Sequence, residues 1–153
     1  MQFWDTSALL PLVLRQPPFS DACRRAFRRR TPRAVAFLAR VECRSAIERL
    51  RREGALSATA RRQALAKVDR LVATFDIVAF SPEVEARALA LLGRHSLRSL
   101  DALQLGCAQG LTSPGDTADL PEFVCCDRRL AEVAAIAGCS LAVELAGERG
   151  RSA

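Results

Sequence analysis

Apolar runs of strand length alternate along this chain with longer stretches in which apolar residues recur every three or four positions. The short runs predict strands at Gln2 to Asp5, Ala34 to Phe37, Asp76 to Phe80, Glu122 to Cys126 and Ser140 to Val143. The periodic stretches predict helices at Ser7 to Leu14, Ser20 to Arg29, Ala39 to Glu53, Ala58 to Thr74, Pro82 to Arg94, Leu100 to Ala108 and Arg128 to Ala137. Ser81-Pro82-Glu83 is the clearest start signal, with a capping serine, a proline at the first helical position and an acid in the first turn. Gly54 and Gly138 are the matching stops. This alternation implies an α/β domain around a mostly parallel sheet of about five short strands. The segment Thr112 to Pro121, rich in Ser, Pro, Gly, Asp and Thr, is predicted as the one long loop. Residues 147–153 are predicted as a polar tail to a single domain of residues 1–146.

Composition narrows the function classes. A chain of 153 residues fits one domain, and at that size roughly 68–70% of the unfolded surface is buried on folding, enough for a core without staples. Long apolar stretches such as Ala86 to Leu92 and Ala131 to Ala137 are broken by charge and fall well short of the ~20 residues that span a bilayer. The opening Met1-Gln2-Phe3-Trp4-Asp5 lacks the basic start and apolar middle of a signal peptide, so a cytoplasmic location is expected. Of the six cysteines, Cys23, Cys43, Cys107 and Cys139 stand among alanines and leucines, as small apolar residues do, and no pair has zinc-ligand spacing. The net charge of +6 comes almost wholly from arginine, Lys67 being the single lysine. The clusters Arg24-Arg25, Arg28-Arg29-Arg30, Arg51-Arg52 and Arg61-Arg62 suit phosphate clamping, but equally suit the wet faces of amphipathic helices.

The acids carry the candidate chemistry. Asp5 and Asp127 end predicted strands, and in an open parallel sheet ligands bind beyond the carboxyl ends of the strands. Each also precedes a helix, where aspartate is a favoured cap. On the third helix, Ala39, Cys43, Ala46, Ile47 and Leu50 share one face; Glu42 lies roughly 80° from its centre and Glu48 roughly 160° away at 100° per residue. Glu48 is therefore the expected solvated acid. Glu42 sits at the boundary, either facing a cleft or pairing with an arginine such as Arg49. Asp101 opens an almost wholly apolar helix, where it also complements the helix dipole, with Ser99 as the expected cap. Four carboxylates converging on one rim would repel one another, and Mg²⁺ or Mn²⁺ would relieve that repulsion. The lone histidine, His95, falls beyond a helix end and offers no general base.

These segments together resemble the PIN domain, and within it the toxin ribonucleases of bacterial VapBC toxin–antitoxin pairs. Asp5-Thr6-Ser7 resembles the family's opening Asp-Thr/Ser-Ser/Asn, and Glu42 within Ala39-Arg40-Val41-Glu42 its helical glutamate. Leu100-Asp101-Ala102-Leu103 resembles the central Leu-Asp-Ala, and Val124-Cys125-Cys126-Asp127-Arg128-Arg129-Leu130 the closing Thr-x-Asp-x-x-Leu. Cys125 departs from the pattern, standing where the family usually has threonine or serine. The resemblance implies a PIN-like three-layer sandwich and hydrolytic RNA cleavage with Mg²⁺ or Mn²⁺, leaving a 5′-phosphate. It implies Asp5, Asp101, Asp127 and Glu42 as catalytic and metal-holding residues, with Thr6, Ser7 and Cys125 in support. Arg98, beside Asp101, is the expected substrate contact. The partners it implies are an RNA substrate, an antitoxin encoded alongside, and a second copy in a homodimer. A silent PIN-fold module that binds RNA or protein is the alternative. A phosphoacceptor receiver domain is disfavoured, because its strand-end lysine has no counterpart and Lys67 falls mid-helix.

Overall fold

The structure, a computed structural model, describes residues 1–15, 18–112 and 120–143. Four strands, β1 (Gln2–Trp4), β2 (Arg33–Ala36), β3 (Asp76–Val78) and β4 (Glu122–Val124), form one sheet in the order β3-β2-β1-β4, and every pairing is parallel. Among the described residues seven helices connect and follow them: α1 (Thr6–Val13), α2 (Phe19–Arg28), α3 (Ala39–Arg52), α4 (Ala58–Val72), α5 (Pro82–Arg94), α6 (Ser99–Gln109) and α7 (Arg128–Ile136). Ser81 caps α5 by accepting from the Val84 N–H at 3.3 Å, and Gly54 and Gly138 carry the positive φ that ends α3 and α7. Among the described residues no helix is long and apolar enough to cross a membrane.

The expected fifth strand shrinks to one parallel bridge between Phe123 and Leu141, flanked by hydrogen bonds from Phe123 N to Ser140 O and from Ala142 N to Phe123 O. Ser140 and Leu141 are exposed and bring little apolar surface to anchor a longer strand there. Most of the predicted loop, residues 113–119, and the predicted tail, residues 147–153, lie outside the described residues.

Strand alternation divides the core in two and makes three layers. Trp4, Val35 and Val124 face α1 to α4, packing on Leu9, Cys23, Cys43, Ile47 and Val68. Phe3, Ala34, Ala36 and Phe123 face the other way, onto Val84, Leu91, Leu105 and Leu130 of α5, α6 and α7. Phe3 stacks on Phe123 across β1 and β4, their centroids 5.7 Å apart. Both faces of β1 are covered, so its short run is apolar on each side except at Gln2, which is fully buried and hydrogen-bonded.

Candidate active site at the carboxyl rim of the sheet

Parallel pairing of β1 with β4 sets Trp4 opposite Val124, and Asp5 N continues the ladder by donating to Val124 O at 3.0 Å. The chain leaves both strands at the same rim, and each strand leads into a helix whose N-cap is an aspartate. Asp5 Oδ2 accepts from Ser7 N at 2.9 Å at the start of α1, and Asp127 Oδ1 accepts from Leu130 N at 3.0 Å at the start of α7. Capping and convergence are therefore not alternatives: the cap geometry itself holds each carboxylate over the sheet's carboxyl end.

Glu42, half-buried in the first turn of α3, turns toward α1 and α6 instead of toward an arginine. Its Oε2 accepts from Thr6 Oγ1 at 2.8 Å and from Gln104 Nε2 through a very short contact; Gln104 Nε2 also donates to Thr6 Oγ1 at 3.2 Å. The Thr6 hydroxyl thus serves Glu42, and Asp5 takes its donor from the Ser7 backbone. Glu48 is the opposite surprise: Arg61 of α4 clamps it, with Nε at 2.8 Å, and its side chain is only 26% exposed. Helix angle placed Glu48 away from the α3 core face but carried no information about the neighbouring α4. Asp101 is half-buried in the first turn of α6, where Arg98, not Ser99, is the N-cap residue and no side chain caps the helix.

The four acids act on one another. Burial pushes the Asp5 carboxyl above the usual aspartate value against its Ser7 hydrogen bonds, and the Asp101 charge adds to the rise. Burial likewise raises Glu42, with Asp5 and Asp101 contributing, while Thr6 and Gln104 hold it down. Asp101 is raised by burial and then by Asp127, and lowered by a backbone bond from Arg98 and the charges of Arg98 and Arg129. Carboxylate oxygens only, on four elements, are the donor chemistry of a hard divalent cation. As the side chains stand, no three His, Cys, Asp or Glu groups among the described residues are gathered tightly enough to grip an ion. The set fits such an ion in charge and donor type.

Cys125 is 1% exposed, one residue past β4, and its thiol lies in the cluster: Sγ has Asp127 O at 3.3 Å and Asp5 Oδ2 at 3.8 Å as competing acceptors for its one proton, contacts Ser7 Oγ at 3.5 Å, and accepts from Asp127 N at 3.3 Å. Burial pushes the thiol well up, which keeps it a neutral, weak donor. Cys126 points the other way, its Sγ 3.4 Å from that of Cys23, while its N–H donates to Ser7 Oγ at 2.9 Å.

Two site neighbours went unread in the sequence. Gln104 is an amide flanked by leucines in α6, three positions after Asp101 and so on the same helix face, a spacing that marks it in retrospect. Arg129 is exposed, bonds Ser96 Oγ at 2.8 Å, and shares with Arg98 the role of cation beside Asp101. Members of the arginine clusters serve the scaffold instead: Arg61 holds Glu48, Arg24 pairs with Asp21, and Arg29 pairs with Glu122.

Known proteins are similar to this chain in sequence and in fold. Residues 3–136 match the PIN domain. The chain is 38% identical to Ribonuclease VapC46 of Mycobacterium tuberculosis (strain ATCC 25618 / H37Rv) over 112 residues, 71% of this chain and 75% of that protein. Its fold is similar to a toxin–antitoxin complex from Klebsiella pneumoniae, with a TM-score of 0.65 and 19% identity over 94% of this chain and 99% of that one. It is also similar to VapBC2 from Rickettsia felis bound to a DNA fragment from their promoter, with a TM-score of 0.62 and 13% identity over 92% and 96% of the two chains. Matched over most of its length and carrying strand-end acids on an all-parallel sheet, the chain belongs to the PIN-domain family.

Proposed function

We propose that this protein is a metal-dependent endoribonuclease of the VapC kind, the toxin half of a type II toxin–antitoxin pair. The observation that carries the reading is the rim geometry: Asp5 and Asp127 cap α1 and α7 where paired β1 and β4 end, and Asp5, Glu42 and Asp101 are each raised mainly by burial and to a lesser degree by another acid of the set. The 38% identity to a ribonuclease supports the RNA substrate. Asp5, Asp101 and Asp127 would hold Mg²⁺ or Mn²⁺, and Glu42 would either join them or orient the attacking water. When bound, the ion supplies Lewis-acid activation of water and charge neutralisation at the phosphodiester. Ser7 and Thr6 fix the Asp5 and Glu42 carboxylates, Cys125 adds a weak donor to Asp5, and Arg98 and Arg129 steer a phosphate toward Asp101. The protein acts in the cytoplasm as a homodimer, silenced by an antitoxin that covers this cleft.

A catalytically silent PIN-fold binding module is the second reading, favoured by Cys125 in the place of a hydroxyl and by the open spacing of the acids. One assay separates them. Purified protein with single-stranded RNA is expected to cleave with Mn²⁺ or Mg²⁺, to stop with chelator, and to leave 5′-phosphate ends. Binding of RNA without cleavage under any divalent ion establishes the silent module instead.

A further inference from the structure

We propose that Gln104 is a positioning residue that fixes the orientation of Glu42; the assignment rests on the nuclease reading above. Gln104 is 1% exposed, and Ala102, Leu105, Gly106, Cys107 and Ala108 on the same helix are buried with it. Its amide nitrogen donates to both Glu42 Oε2 and Thr6 Oγ1, while the Thr6 hydroxyl donates to the same Glu42 oxygen. The three side chains come from α6, α3 and α1 and close a small ring. Two donors converge on Oε2, leaving Glu42 Oε1 outside the ring. The amide orientation follows from chemistry, since reversing it would set the Gln104 oxygen against a carboxylate.

The other end of the same amide makes this more than packing. Gln104 Oε1 is buried with no hydrogen-bond partner among the described residues, a state that costs stability and that few native groups occupy. A methionine of similar length would fill the space without that cost, so the demands of the core alone disfavour glutamine here. The amide is explained by what its nitrogen does for Glu42. Side chains that orient a metal-binding or catalytic carboxylate typically change affinity or activity by about 10–100-fold when removed.

The test compares wild type with Gln104→Met, Gln104→His and Glu42→Gln in the full chain. Gln104→Met is expected to melt no lower than wild type, yet to lose about 10–100-fold in kcat on RNA with KM unchanged, and to bind Mn²⁺ more weakly by calorimetry. Gln104→His, whose Nε2–H reaches the position of the amide nitrogen, recovers part of both. In a Glu42→Gln background, Gln104→Met adds no further loss of Mn²⁺ affinity, because its effect runs through Glu42. Unchanged cleavage and Mn²⁺ affinity in Gln104→Met overturn the assignment alone, as does a loss that merely follows a lowered melting point. A wild type that neither binds Mn²⁺ nor cleaves RNA overturns the nuclease reading, and this assignment with it.

Discussion

The two ends of the parallel sheet treat charge in opposite ways. At the amino end, Gln2 is fully buried, but its amide donates to Glu122 at 2.9 Å and accepts from Trp4 Nε1 at 3.1 Å, and Arg29 meets Glu122 at 2.7 Å. Every polar group named there has a complementary partner, and the one acid has a cation. At the carboxyl end, three acids sit above their ordinary pKa values, because burial and like charges outweigh the donors provided. β1 and β4 contribute to both ends by one register, but the carboxyl end also draws Glu42 from α3 and Asp101 from α6. One end ties the first strand to the fourth; the other holds carboxyls raised mainly by burial and to a lesser degree by mutual repulsion, a cost that a bound cation would offset.

The largest expected effect comes from breaking the open end. Asp5→Asn keeps an excellent N-cap for α1 while removing the charge, so helix and fold persist. Cleavage is expected to fall by more than ~100-fold, beyond the range of outer-shell changes, and the Mn²⁺-induced rise in melting temperature should disappear. Retention of wild-type cleavage by this variant would sink the metal-site role of Asp5.

Breaking the closed end should do the reverse. Glu122→Ala strands the Gln2 amide and is expected to cost about 1–3 kcal/mol of stability by chemical denaturation. Activity per folded molecule stays the same. A drop in kcat without a drop in stability would show that the two ends are not independent.

The pH dependence sharpens the contrast next. Asp5, Glu42 and Asp101 have folded pKa values raised above their unfolded ones, so the fold binds more protons than the unfolded chain between those values. The associated stability is fully present below the ordinary carboxyl range of about 4 and is lost as pH rises through the raised values. Melting scans in chelator from pH 4 to 8 should show this decline, and saturating Mn²⁺ should flatten it. A melting temperature that rises with pH across this window would contradict the raised carboxyl values.

The smallest effect separates the adjacent thiols. Cys125→Thr offers Asp5 a stronger donor in the same place, so Mn²⁺ affinity and cleavage are expected to hold or rise by a few-fold. Cys126→Ser, packed instead against Cys23 and the α1–α4 core, is expected mainly to lower the melting temperature. Sharply reduced cleavage by Cys125→Thr at unchanged stability would assign the thiol a role of its own.

Much of this arrangement was legible along the chain, because strand-end acids and helix caps are local signals. Strand, aspartate and helix follow one another at Asp5 and again at Asp127, and a parallel sheet brings such places to one rim. Glu42 was located to a helix boundary by its angle, but its partners were not, since Thr6 and Gln104 belong to elements 36 and 62 residues away. Glu48 was misread for the same reason: Arg61 approaches from a different helix. The fifth strand failed on length, because apolar pattern marks a segment that could pair but not how many pairs it completes. Periodicity reports which way a residue faces within its own element, and the misses at Glu42 and Glu48 concern what stands opposite.

The pairing of β1 with β4 also sets a timetable. Gln2 meets Glu122 across 120 residues of chain, and Asp127 lies just beyond, so neither the central strand nor the acidic rim is complete until that segment has emerged from the ribosome. At the usual pace of synthesis, on the order of ten seconds separates the first acid from the last. An enzyme of the proposed kind is therefore inert as a nascent chain, and its destructive capacity arrives only with its closing strand.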